Sequence, residues 1–219
     1  MDTIISLRRS DIIVSAVLGE LIFLSLVPVN ATLHFFQKLH LDKVPVPLFF
    51  WWFALVLPIA TVSGYLILFW ISKRFPVMLQ VARYGLIGVF NTILNLAIIN
   101  ILILQTGIAS GYTADLFAVI SFVIVVTNSF FWNKYWTFGG GQEQKTTEEY
   151  IQFFAVSISG ALINLGIFHF IVNIIGPREG IDPKVWANIA LAIGIPVSFI
   201  WNFFGYRLFV FKSKTDSMR

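Results

Sequence analysis

Asparagines fall inside apolar stretches of this chain at helical spacing. Gly88, Asn91 and Asn95 recur at i, i+3 and i+7, which places them on one stripe of a helix, and Ser157, Gly160 and Asn164 repeat the pattern farther on. Such a stripe has two chemistries open to it. Small residues let helix backbones approach while amides hydrogen-bond across the contact, each bond worth about 0.6–2 kcal/mol in a membrane. The other is a polar cleft in which facing amides hold a hydroxyl or a phosphate oxygen. Cations form the second group. Lys134 and Arg207 each follow a polar residue by five positions and precede bulky aromatics at identical spacing. At a helix C-terminus they answer the macrodipole and snorkel toward headgroups. Together with Arg83 they also make a shallow anionic pocket, because an Arg fork and a Lys point charge suit a phosphodiester. Two ionisable groups remain. Glu20 is an acid well inside an apolar stretch, where a charge costs about 2.5–3.5 kcal/mol on insertion scales and is by default functional. His169 stands five residues after Asn164, off its stripe, as a proton relay or as a hydrogen-bond partner of a neighbouring helix.

Other chemistries are excluded. The chain has no cysteine, so disulfides, thiolate catalysis and Cys-ligated metals are absent together. No phosphate-cradling glycine loop, no HExxH and no Asp-x-Asp pair occurs. The expectation is a non-enzymatic protein with no cofactor, no metal and no nucleic-acid partner.

The elements that position these residues follow from composition. Of 219 residues 58% are hydrophobic and 12% charged, and the mean hydropathy is +0.83. A soluble surface cannot be clothed from so few charges, so lipid is the solvent. Spans of about 20 apolar residues are expected near Ile12–Pro28, Leu48–Ile71, Tyr84–Leu104, Tyr112–Trp132, Ile151–Ile175 and Val185–Leu208. The first is short, carries Glu20 and follows Arg8-Arg9. A secretory leader cleaved near Val29-Asn30-Ala31 is its alternative, against which Asp11 and Glu20 speak. The fold class expected is an all-α polytopic membrane protein of about six transmembrane helices.

Basic residues orient it. Arg8, Arg9, Lys73, Arg74, Arg83, Lys134, Lys145, Arg207, Lys212, Lys214 and Arg219 fall on one side, against Lys38, Lys43, Arg178 and Lys184 on the other. That asymmetry in short loops puts both termini in the cytoplasm. Trp51, Trp52 and Trp186 then mark the outer interface, and Trp70, Trp132 and Trp136 the inner one. The longest outer loop, about Val29–Pro47, holds His34 and His40, and the linker Gly139–Glu149 is too short for a folded domain.

The chain repeats itself. Ser129-Phe130-Phe131-Trp132-Asn133-Lys134-Tyr135-Trp136-Thr137-Phe138 aligns without a gap on Asn202-Phe203-Phe204-Gly205-Tyr206-Arg207-Leu208-Phe209-Val210-Phe211. Upstream, Tyr84, Gly88, Asn91 and Asn95 fall opposite Phe153, Ser157, Gly160 and Asn164, and Ala114-Asp115 falls opposite Ala187-Asn188, with a four-residue slip between the blocks. Each unit has two spans, so the copies enter from the same side, as parallel repeats do. The spacing Ala190, Gly194, Ser198 makes a small-residue ridge suited to packing.

From about Gln80 to Lys212 the chain resembles the GtrA family of small polytopic membrane proteins. The resemblance rests on Arg83-Tyr84-Gly85-Leu86-Ile87-Gly88 with Asn91 and Asn95, on Asn133-Lys134-Tyr135-Trp136-Thr137-Phe138, and on the stretch Asn202 to Phe211. It implies a four-helix domain at residues 79–213, with repeats at about 80–138 and 150–211. An extra N-terminal hairpin at 1–78 precedes it and a cytoplasmic tail at 214–219 follows. It also implies a part in cell-surface polysaccharide synthesis at the cytoplasmic membrane, by moving a lipid-linked sugar such as undecaprenyl-phosphate glucose. The family is similar as well to a small membrane subunit of dolichol-phosphate mannose synthesis. The candidate substrate-binding residues are then Arg83, Asn91, Asn95, Asn133, Lys134, Asn164, Asn202 and Arg207, with Glu20 and His169 as intramembrane ionisable candidates. Tyr206 stands where the first signature has Asn133, which breaks two-fold symmetry in that amide. Three functions compete: a flippase for a polyprenyl-phosphate sugar, a non-catalytic subunit or anchor of a membrane glycosyltransferase, and a proton-coupled exporter using Glu20. Four to six thin spans scarcely enclose a sugar path alone, so a homodimer or a partner is expected beside membrane lipid.

Overall fold

Among the residues described in the computed structural model (7–33, 46–139, 146–177, 180 and 183–211), all regular structure is helical. Helix α1 spans Arg9–Leu33, α2 Val46–Ser72, α3 Val77–Thr106, α4 Gly111–Trp132, α5 Thr146–His169 and α6 Pro183–Gly205. Six of the described helices are long and apolar enough to cross a bilayer, and the chain is a multi-pass membrane protein. Backbone groups in hydrocarbon must be satisfied within the span, and helices do that internally. His34, His40, Lys38, Lys43, Lys145, Arg178, Lys212, Lys214 and Arg219 lie outside the described residues, as does most of the Gly139–Glu149 linker.

The chain divides into two compact units, Met1–Thr137 and Phe138–Arg219. Within the first unit the N-terminal helix pair packs with the first repeat, α1 lying against both α2 and α3. Leu18 and Ile22 of α1, Tyr65 and Phe69 of α2, and Ala82, Ile87 and Phe90 of α3 bury one another together with Trp136. Outward-facing positions such as Ile67, Trp70 and Val119 are apolar and exposed, as lipid-facing surface requires.

The α1–α2 crossing is made by one glycine and one proline. A Cβ on Gly19 would stand 2.5 Å from Pro58 Cα, so the backbones touch there. Pro58 removes a helical N–H and clashes with the preceding turn. Nearly one turn beyond Pro58, the Thr61 hydroxyl lies 2.8 Å from the Ser15 carbonyl of α1 and within 3.1 Å of the Leu57 and Pro58 carbonyls. Helix α3 ends on Gly107, whose φ of 74° is left-handed and whose N–H returns to the Ile103 carbonyl. That cap sets the short turn into α4.

In the second unit α5 packs on α6. Asn202 lies over Gly160 and Val156 over Gly205, so both glycines leave room for a partner's side chain. Gly194 of the small-residue ridge receives Asn164 at 3.1 Å from its virtual Cβ.

Both signatures leave the α-helical path at the same aligned residue. Asn133–Thr137 after α4 and Tyr206–Val210 after α6 are π-helical, and each buries its first and fifth residues. π turns are rare and concentrate at functional sites. Residues aligned between the two copies also meet inside each hairpin. Asn95 meets Ser121 in the first copy, and the aligned pair Asn164 and Gly194 meets in the second.

Candidate functional site

The polar residues of the first unit gather at the end where α1 and α3 begin and α2 and α4 finish. Asp11 in the first turn of α1 is 1% exposed. Its Oδ2 accepts from Arg83 Nη2 at 2.9 Å and its Oδ1 accepts from Trp136 Nε1 at 2.9 Å. Arg83 Nη1 donates to the Trp136 carbonyl at 3.1 Å, closing a three-residue ring between α1, α3 and the π turn. The guanidinium also stands 5.9 Å from the Trp136 ring centre, and Tyr65 stacks on the same indole at 6.1 Å. Burying a carboxylate is tolerated when it is paired and hydrogen-bonded, and both conditions are met.

Around this ring several buried polar atoms lack a partner. They are the Tyr65 hydroxyl, Gln80 Oε1, Arg83 Nε, Asn133 Oδ1 and the Thr137 hydroxyl. Tyr65 lies close enough to Asp11 and Arg83 to feel both, yet it meets hydrogen-bond geometry with neither. Native interiors leave few polar atoms unpaired, so a cluster of them points to something beyond the chain's own packing. Asn133 is fully buried, and its Nδ2 donates to the Ser129 carbonyl at 2.9 Å while its oxygen is left over. Next to it Lys134 is 3% exposed, with its ammonium 5.7 Å from the Phe130 ring and 5.8 Å from the Tyr135 ring. A cation held this deep at the end of a span costs solvation, which a nearby anion offsets.

The other expected residues fall as follows. Arg83 does not present an uncompensated charge for a phosphate, since Asp11 meets it. The α3 stripe faces α4: Asn128 Nδ2 donates to Asn91 Oδ1 at 2.7 Å, and the Ser121 hydroxyl lies 2.5 Å from Asn95 Oδ1. These amides bond neighbouring helices. Asn164 does the same toward Ser198 at 3.5 Å. Asn202 Oδ1 is buried without a partner over Gly160. Arg207 is exposed on its π turn, in contrast to Lys134 at the aligned position. Glu20 is exposed on the outer side of α1. His169 Nδ1 lies 3.1 Å from Asn173 Nδ2, one turn on in its own helical segment, where a neighbouring helix was expected to supply the partner.

Sequence reasoning passed over Asp11, Tyr65, Asn100 and Thr137. Asp11 had a signal: an acid at the mouth of one span with Arg83 at the mouth of another. Asn100 accepts from the Thr32 hydroxyl of α1 and donates to the Leu96 carbonyl at 2.7 Å, on the side of α3 away from Asn91. In the second unit the Ser157 hydroxyl donates to the Phe153 carbonyl at 2.8 Å and so accepts from Tyr206, also at 2.8 Å. Tyr206 stacks on Phe153 with ring centres 3.9 Å apart, which fills with an aromatic the place that Asn133 holds in the first copy.

Among the described residues no group of His, Cys, Asp or Glu has the grouping of a metal site. No curated protein and no solved structure matches the chain. A family profile, GtrA/DPMS transmembrane domain, matches residues 83–211, more than half of the chain, from the arginine of the buried ring to the last phenylalanine of the second signature. The chain therefore belongs to the GtrA/DPMS transmembrane-domain family.

Proposed function

We propose that the protein moves a polyprenyl-phosphate-linked sugar across the cytoplasmic membrane for cell-surface polysaccharide synthesis. Family membership supports the substrate class. The observation that carries the reading is the pair of buried, unpartnered atoms on the first π turn, Asn133 Oδ1 and Thr137 Oγ1, on either side of the buried cation Lys134. An amide oxygen needs a donor, and a sugar hydroxyl is one. An ammonium at a span end lies at headgroup depth and suits a lipid phosphate. In this reading Lys134 meets the phosphate, Asn133 and Thr137 meet the sugar, and the isoprenoid tail stays in lipid. Arg83 organises the site through Asp11 and Trp136, and Arg207 is a surface cation on the second copy. The protein contributes binding and a path, with no covalent step, cofactor or metal, and the excess of basic residues on one side supports a reading in which both termini are cytoplasmic.

The test is transbilayer movement of a labelled polyprenyl-phosphate sugar in liposomes holding the purified protein. Wild type is expected to exceed empty vesicles by at least about tenfold, and Lys134→Met and Asn133→Leu to return the rate to background. Wild-type vesicles no faster than empty ones refute the proposal.

A second reading is a non-catalytic membrane subunit of a polyprenyl-phosphate glycosyltransferase. The Asn91–Asn128 and Asn95–Ser121 bonds favour it, because amides spent on holding helices together do not line a path. Co-purification of a transferase, lost on reversing the charge of Lys134 and Arg207, distinguishes it.

A further inference from the structure

The two aligned π turns follow the same backbone path in different surroundings. Asn133–Thr137 packs on α3 and α4, and Tyr206–Val210 on α5 and α6. Each has a cation at its second residue and an aromatic at its fourth. Yet Trp136 is 9% exposed where the aligned Phe209 is 59% exposed. Likewise Lys134 is buried where Arg207 is exposed. The pattern within the turns does not separate them, so the cause lies in what meets Trp136.

The N-terminal helix pair meets it twice. Asp11 of α1 accepts from the indole N–H at 2.9 Å, which fixes the edge of the ring. Tyr65 of α2 stacks on the indole with planes 29° apart, which covers a face. Stacked aromatics at such distances attract beyond the area they bury. The Tyr65 hydroxyl has no hydrogen-bond partner among the described residues, so the ring carries this contact. Asp11 also anchors Arg83, which donates to the Trp136 carbonyl at 3.1 Å. Carbonyls at a helix end lack partners within the helix, and here a side chain supplies one. The second turn closes by itself, the Phe211 N–H returning to the Tyr206 carbonyl at 2.8 Å. Asp11 and Tyr65 both lie outside residues 83–211, the stretch that carries the family pattern.

The geometry points to Asp11 and Tyr65 as positioning residues: the N-terminal helix pair grips Trp136 and so keeps Lys134, two residues earlier in the same turn, buried at the site. Both act through the indole and not on a substrate. Once released, the turn is free to carry Lys134 outward, as the second copy carries Arg207. The substrate of Lys134 rests on the lipid-sugar reading above; the grip on Trp136 does not.

Acetylation by a water-soluble ester reads the lysine directly, in the full-length protein in detergent, with exposed Lys73 as the internal standard. Peptide mass spectrometry gives the rates, and Arg207→Lys supplies the rate of a lysine at the outward position. Wild-type Lys134 is expected to react at least about tenfold more slowly than that reference, since a held turn must open first. Tyr65→Leu and the double change Asp11→Leu/Arg83→Leu should each bring Lys134 within about threefold of the reference. Tyr65→Phe keeps the ring and should stay near wild type. Trp136→Phe loses only the indole bond and is expected between the two, which reads the grip even where a leucine variant fails to fold. In the liposome assay the leucine variants should raise KM for the polyprenyl-phosphate sugar by at least about tenfold while kcat changes little. Lys134 as slow in both folded leucine variants as in wild type overturns the inference. Equal rates for Tyr65→Phe and Tyr65→Leu overturn it as well. A Lys134 freed by these changes, in a protein whose wild type moves no lipid, upholds the grip and removes the lipid-sugar reading.

Discussion

Replacing Asp11 with alanine removes one charge of the buried ring and leaves Arg83 and the Trp136 indole N–H facing each other with nothing between them. The size of the effect follows from the geometry. Nη2 and Oδ2 are 2.9 Å apart, and the side chains of Arg83 and Asp11 are 12% and 2% exposed, so water screens the pair weakly. With charge centres about 4 Å apart, the attraction at an effective dielectric of 20 is about 4 kcal/mol. The indole's bond to the carboxylate adds about 1.5–3 kcal/mol, and relaxation and water entry offset part of the total. Breaking one side of a buried pair costs about 3–5 kcal/mol in measured cases, and Asp11→Ala is expected in that range. Trp136→Phe, which keeps the ion pair, is expected to lose about 1.5–3 kcal/mol. Replacing both charges in Asp11→Leu/Arg83→Leu should recover most of the loss, because an apolar pair does not leave a buried charge unmet. Unfolding in mixed micelles with increasing SDS, followed by tryptophan fluorescence and circular dichroism, measures all three against wild type. A single-mutant loss below about 1 kcal/mol, or single losses that simply add in the double mutant, refutes the reasoning.

Further outcomes test the helix contacts. Gly19→Ala drives a Cβ to 2.5 Å from Pro58 Cα, which is backbone and cannot turn aside, so α1 and α2 must part. The same unfolding measurement should register a loss of about 1–3 kcal/mol, whereas Gly64→Ala, with open space around it, should not. Gly160→Ala first meets the carboxamide of Asn202, and its smaller loss should largely vanish when Asn202→Ala is made with it. Ser157→Ala removes the acceptor that Ser157 offers the buried Tyr206 hydroxyl, a loss of about 1–3 kcal/mol that Tyr206→Phe should relieve in the double mutant.

Span number was legible because it rests on local pattern. Apolar length makes a bilayer helix wherever it occurs, and the aligned signatures carry the same helical distortion at the same residue. The stripe of Asn91 and Asn95 was legible as a face, since spacing alone places residues on a helix. Its partners Asn128 and Ser121 were not, because they depend on the height at which α4 crosses α3. The ring of Asp11, Arg83 and Trp136 joins residues up to 125 positions apart, and no local rule connects them. Read alone, Arg83 looked like a headgroup cation and Asp11 a misfit in an apolar stretch. Each explains the other once α1 lies on α3. The contacts of the N-terminal pair with the first repeat are non-local in the same way: beside the charge pair and the aliphatic core they include the Asp11–Trp136 and Thr32–Asn100 hydrogen bonds and the Tyr65–Trp136 stack.

The two wide turns have a bearing on lineage. Hydrogen bonding from i to i+5 accommodates one more residue per turn than an α-helix. Deleting a single residue from Asn133–Thr137 would restore ordinary winding and swing Phe138 around the axis, away from its stacking position on Phe211 at 5.2 Å. Substitution inside the turn is a milder insult than a change of length. If both hairpins descend from one ancestor, the supernumerary residue was already in it before the doubling, since neither descendant has lost it. Chain length at these two places then serves as an older and stricter marker of kinship than the aromatic letters around them.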